Sequence, residues 1–179
     1  MMNTLRFLLC AAALLAFTTT PGMAQRKPAS PHETVTAMIG DAKLTITYGR
    51  PFTTKPGTTE ARKIWGKLVP WDKAWRMGAD QATTLVTPKD LTIGDAKLKA
   101  GTYTLYFVPS EAGASKLAIS STTGKWGIPV DEKNDVARVE VKKAATTKAV
   151  DQFTISLETA GMIKWSWENT EYSVSYKAD

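Results

Sequence analysis

The chain has 179 residues, a formal net charge of +6, one cysteine and one histidine. That length suits a single domain able to bury roughly two thirds of its unfolded surface, and one histidine excludes zinc sites built from several, the HExxH kind included. The positive balance suits anionic partners such as acidic glycans or lipid headgroups, but outside residues 62–76 the lysines are scattered, and nucleic acid is not an expected partner.

The chain opens with Arg6, an apolar run over 7–17 and a polar stretch ending in Gly22, Met23 and Ala24. A charged start, an apolar segment too short to span a bilayer and a small-x-small end predict a signal peptide over 1–24, cut after Ala24. The alternative, a lipoprotein acylated at Cys10, is weakened by Leu9, which is not small, and by the run continuing through Leu15. Cleavage removes the only cysteine, so the exported chain carries no disulfide. Export to the periplasm or the exterior is expected, with no membrane span after signal removal and the oligomeric state left open. Residues 25–33 (QRKPASPHE) read as a mobile lead-in and 34–179 as one β-domain.

Gly40 and Asp41 form a two-residue loop suited to a type II′ turn. Pairing Ile39 with Ala42 sets Ala37 opposite Leu44 and Val35 opposite Ile46, all on one face, with Thr34, Thr36, Lys43, Thr45 and Thr47 on the other. The hexapeptide IGDAKL recurs at 93–98, where the same register sets Leu91 opposite Leu98 and Ile93 opposite Ala96, with Asp90 facing Lys99. One six-residue match does not make a repeat architecture.

Residues 61–83 (ARKIWGKLVPWDKAWRMGADQAT) interrupt the alternation and hold three of the six tryptophans. Pro70 can open a helical turn that Gly78 closes. Trp71 and Trp75 would then share a face, with Asp72 and Arg76 as an i, i+4 pair. Residues 64–66 read as a second brief turn. Two roles compete here. The tryptophans either cap an open end of a sandwich, the usual service of large aromatics, or form platforms beside Arg62, Lys63, Arg76 and Asp80 for a sugar or other small polar ligand. The candidate ligand-binding residues are Arg62, Trp65, Trp71, Trp75, Arg76 and Asp80.

Residues 102–108, with Tyr103, Leu105 and Phe107 alternating with Thr104, Tyr106 and Val108, are apolar on both faces and read as a central strand ended by Pro109. Residues 116–120 make a short strand with Leu117 and Ile119 inward. The following loop, 121–135, is long enough to be a functional candidate. Residues 136–141 alternate again. Phe153, Ile155 and Leu157 lead to a three-residue loop, Thr159, Ala160 and Gly161, whose glycine fits a bulged hairpin. Leu157 then faces Ile163, Trp165 faces Ile155 and Trp167 faces Phe153. A second tight turn at Asn169 and Thr170 would set Trp167 opposite Tyr172, Trp165 opposite Val174 and Ile163 opposite Tyr176, completing a three-stranded meander with Trp165 and Trp167 in the core. About nine short strands and no sustained helical period outside the leader predict an all-β fold, an antiparallel β-sandwich or flattened barrel with a long Trp/Arg-rich loop.

No Asp-rich calcium loop, P-loop, GxGxxG after a strand or GxSxG is present, so neither a metal nor a cofactor is expected. A Ser-His-Asp triad would have to use His32, beside Pro31 in the lead-in. Asp72, Asp80, Glu60 and Glu111 are available as carboxylates, and spacing marks no two as a glycosidase pair.

The chain resembles a family of secreted bacterial proteins known as domain of unknown function twenty-nine eleven. The resemblance rests on SPHETV at 30–35, TYGRP at 47–51, RKIWGKLVP at 62–70, WRMGADQAT at 75–83, LKAGTYTLYFVP at 98–109, DVARVEV at 135–141 and the closing WSWENTEYSV. Met77 stands where a small polar residue is expected and Asp80 where asparagine is. The resemblance implies export and supplies no activity. The expected function is therefore a non-catalytic module binding a glycan, peptide or other envelope component. The alternatives are a hydrolase of envelope or extracellular polymers using carboxylates of the 62–83 stretch, and an assembly subunit that pairs through exposed strand edges.

Overall fold

The computed structural model describes residues 30–179, so the expected signal peptide and most of the lead-in lie outside the described residues. Ten strands form two antiparallel sheets: β1 (His32–Ile39), β2 (Ala42–Gly49), β3 (Thr83–Thr87), β4 (Leu91–Ile93), β5 (Ala96–Leu98), β6 (Gly101–Val108), β7 (Lys116–Ser120), β8 (Asp135–Glu140), β9 (Lys142–Glu158) and β10 (Met162–Ala178). One sheet has the order β1-β2-β3-β6-β7-β8, the other β5-β4-β10-β9. They pack face to face as a sandwich. At its margins β1 approaches β9 and β5 approaches β8, without a ladder that would close a barrel. Among the described residues no helix is long and apolar enough to cross a membrane.

The two IGDAKL hairpins form in the expected registers, Ile39 with Ala42 and Ile93 with Ala96. Gly40 and Gly94 take φ of 62° and 58° at the first loop position, a region that costs glycine least. Leu44, Ile46, Leu91, Ile93 and Leu98 are buried, because alternation puts them all on the face that meets the other sheet. β1 begins at His32, two residues inside the stretch expected to be a lead-in. β6 is interior as expected, with Leu105 and Phe107 in the core. Its outer face is also covered: Thr104 and Tyr106 are buried, and Thr104 Oγ1 donates to the Thr122 carbonyl of the 121–131 loop at 2.6 Å.

The C-terminal expectation needs correction. There is no turn at Asn169 and Thr170, and no three-stranded meander. β9 and β10 are each 17 residues long and form one continuous hairpin, Thr170 pairing with Ala145 and Tyr172 with Lys143. The register shifts on either side of Glu168, which sits at φ 52°. Glu168 itself pairs with Val150 and the extra residues of the bulge fall on β9, so it is the left-handed backbone at Glu168 that reverses which face each later side chain of β10 meets. That reversal brings Tyr172, Val174 and Tyr176 to the same buried face as Ile163, Trp165 and Trp167, the outcome assigned to a turn from the pattern alone. Residues 142–152, missed as strand, are mostly exposed Lys, Ala and Thr with no apolar alternation.

Candidate functional site

Residues 50–82 close one end of the sandwich without regular structure. The helical turn expected from Pro70 to Gly78 is absent, because Asp72 sits at φ 57° and breaks any helix there. The chain instead runs along the open edge of β6 beyond the end of β3. Trp75 exchanges both backbone hydrogen bonds with Phe107, each 2.8 Å, and the Asp72 N–H donates to the Pro109 carbonyl at 2.7 Å. β3 pairs no further along β6 than Leu105, so the loop satisfies backbone groups that would otherwise be left open. The turn read at 64–66 is present, the Val69 N–H reaching the Ile64 carbonyl at 2.9 Å.

Trp71 and Trp75 therefore do not share a face. Trp71 stacks on Trp65, centroids 6.2 Å apart, and Trp65 meets Phe107 and Tyr172 edge-on. Lys143 Nζ lies 5.4 Å from the Trp71 ring. Trp75 stacks on Trp167 at 5.8 Å and meets Phe153 edge-on at 5.0 Å. Each stack ends on core aromatics, Trp71–Trp65 on Phe107 and Tyr172 and Trp75–Trp167 on Phe153, so these tryptophans plug the end of the sandwich whatever else they do.

Asp72 and Arg76 form no pair. Asp72 Oδ1 accepts from Ser110 Oγ at 2.8 Å, and Arg76 Nη1 donates to the Asp80 carbonyl at 3.0 Å. The turn that holds Arg76 is tight. Met77 and Asp80 both take positive φ, Thr83 Oγ1 donates to the Met77 carbonyl at 2.7 Å, and the Ala79 N–H reaches the Gly49 carbonyl at 3.3 Å. A Cβ at Gly49 would lie 2.1 Å from the Ala79 carbonyl oxygen, so only glycine lets the turn seat on the end of β2. Positive φ accounts for an expected small polar residue at 77 and asparagine at 80. Asp80 tolerates that region, and Met77 is held there by complete burial. The Asp80 carboxylate forms no ion pair with Arg76; its Oδ2 lies 3.4 Å from His32 Nε2.

Beside this turn lies a cleft of about 260 Å³ whose walls include Arg62, Trp75, Arg76 and Trp167, with Leu68 and Ile128 among the others. Of the six expected site residues, the fold thus brings Arg62, Trp75 and Arg76 together, and leaves Trp65, Trp71 and Asp80 off the cleft. Arg62 Nη2 donates to the Phe52 carbonyl, its Cζ lies 5.9 Å from the Trp167 ring, and its Nε is buried with no acceptor. Burial pushes its pKa down, since desolvation opposes the charged form. Among the described residues no Asp or Glu lines the cleft.

Several lining residues are not marked as such by the sequence, Trp167 and Ile128 among them. Trp167 was assigned to the core and is buried there, yet it also forms a wall. Ile128 belongs to the 121–135 loop, marked only by its length. That loop crosses the turn at Gly127, where an added Cβ would meet Ala82 Cα at 3.0 Å and Arg76 Cβ at 3.1 Å. It leaves Trp126 and Ile128 more than half exposed on either side. Periodicity cannot find such residues, because they reach the cleft through contacts distant in sequence.

Among the described residues no group of three or more His, Cys, Asp or Glu is placed to hold a metal, and the contact made by the His32 ring is with the Asp80 carboxylate. Comparisons with curated proteins and with solved structures returned no match. Residues 30–176 match the family described as "protein of unknown function (DUF2911)", spanning both sheets and the cleft, and the chain belongs to that family.

Proposed function

We propose that the protein is an exported, non-catalytic binding module that takes a small polar ligand, or the end of a glycan or peptide of the envelope, into the cleft beside Trp75 and Arg76. One observation carries this reading. The polar side chains lining the cleft are rich in donors and hold no carboxylate, imidazole or thiol, so the lining suits holding a ligand and offers no base. The hydrolase reading lacks support there, since Asp72 is engaged by Ser110, Asp80 faces His32 and Glu60 pairs with Lys55.

The test is a thermal-shift and glycan-array screen followed by paired melting and affinity measurements on variants. Trp75→Ala should weaken the ligand found and also lower the melting temperature, because Trp75 is both wall and plug. Arg76→Lys keeps the charge and loses the planar donors; it should weaken binding by about tenfold with little change in melting. If affinity in these variants falls only in proportion to the unfolded fraction, the stretch is scaffold and the reading fails.

A further inference from the structure

We infer that the ligand of this cleft presents an oxyanion, a carboxylate or phosphate monoester, on a short apolar stem. This rests on the cleft being a binding site and adds which chemistry it selects. The described residues hold four arginines. Arg50 pairs with Glu33, and Arg138 with Glu132 and Asp135. Arg62 and Arg76 pair with no carboxylate, and both line the same cleft. Residues 1–29 contain no Asp or Glu, so no acid from that part of the chain can neutralise them.

Two unneutralised guanidiniums on one cleft are costly to keep, since partial burial removes water that each would otherwise bind. Both are nonetheless fixed in place, Arg62 by the Phe52 carbonyl and the Trp167 ring, Arg76 by the Asp80 carbonyl. Neutral carbonyls orient these groups without cancelling their charge. Planar donors held this way match the paired oxygens of a carboxylate or phosphate. The rest of the wall is largely apolar: Pro51, Leu68, Ala74, Trp75 and Ile128. At about 260 Å³ the space falls just below the roughly 300 Å³ at which drug-sized sites begin. It admits a headgroup and one ring or short chain, and a polymer only by its end.

The experiment titrates the purified protein with phenylacetate, phenyl phosphate and neutral phenylacetamide, followed by the indole N–H resonances of Trp75 and Trp167. At least one oxyanion should bind about tenfold or more tightly than the amide, and whichever wins identifies the headgroup. Arg76→Gln should remove that preference and leave the amide unaffected. Ile128→Asp, at an exposed position on the rim, should weaken the oxyanion by a similar factor without changing the melting temperature, which guards against a misfolded arginine variant. If phenylacetamide shifts the same indole resonances with equal affinity, the oxyanion inference is overturned and the binding reading stands. If no probe moves them up to about 10 mM, beyond even millimolar affinity, the oxyanion inference is overturned, and the binding reading falls only if the glycan-array and thermal-shift screen also returns no ligand.

Discussion

Tyr48 shows at one residue how the two sheets are tied. Its ring is buried against Phe153, and its hydroxyl accepts the Ile155 N–H at 2.8 Å and donates toward Glu33 Oε2 at 3.1 Å. Tyr48→Phe leaves the Ile155 N–H buried without a partner and should cost about 1–3 kcal/mol in denaturant unfolding. Burial pushes the phenol up to about 12. A raised folded pKa means a contribution fully present below the ordinary value near 10 and lost as pH rises through about 12. The stability gap between the native protein and Tyr48→Phe should therefore shrink across about pH 10–12, and a constant gap would show that the hydroxyl is not so placed. Trp165 is 1% exposed between Phe107 and Tyr172, and Trp165→Ala should cost about 3–5 kcal/mol. A loss under about 1 kcal/mol, the level of a surface change, would contradict that burial.

The β9–β10 hairpin departs from the turn that its alternation predicts. Apolar spacing across residues 167–172 changes parity, and both a tight turn and a bulge produce that change; the alternation does not distinguish them. What decides is the partner strand, and 142–152 carries no apolar signal because its side chains face solvent at the edge of the sheet. Exposed Lys142, Lys143 and Lys148 along it also discourage pairing with another chain. The bulge residue, Glu168, is partly buried, and desolvation raises its carboxyl against a weaker opposing effect of the Ile64 N–H. By the same sign, its contribution is present below the ordinary carboxylate range and lost as pH rises through the folded value. Glu168→Gln should therefore be more stable than the native protein at about pH 7, the difference narrowing toward about pH 4. Urea midpoints at the two pH values check this; a difference that widens on acidification would mean that the carboxylate form is favoured in the fold.

Across the molecule, the cleft depends on one close approach. The Arg76 turn rests on the end of β2 because Gly49 has no side chain, and Gly127 lets the long loop lie over the same turn. Gly49→Ala forces the turn away from β2 and should cost roughly 1–3 kcal/mol, as overpacking does. It should also displace Arg76 and weaken any cleft ligand, although position 49 does not line the cleft. A crystal structure of the variant with the turn unmoved would show that the close approach is dispensable.

The all-β class, the registers of both IGDAKL hairpins, the interior place of β6 and the burial of Trp165 and Trp167 are legible in the residues alone. Each follows from period-2 alternation and turn chemistry, which act over a few residues. The residues alone also mark 61–83 as the exceptional stretch. That Trp71 and Trp75 part company, that Asp80 meets His32, and that Arg62 and Arg76 line one cleft walled by Trp167 and Ile128 comes from long-range packing. An irregular segment has no period to read. Its shape is set by the open edge of β6 beyond β3, by Gly49 beneath it and by the loop across it, partners that come from distant parts of the chain.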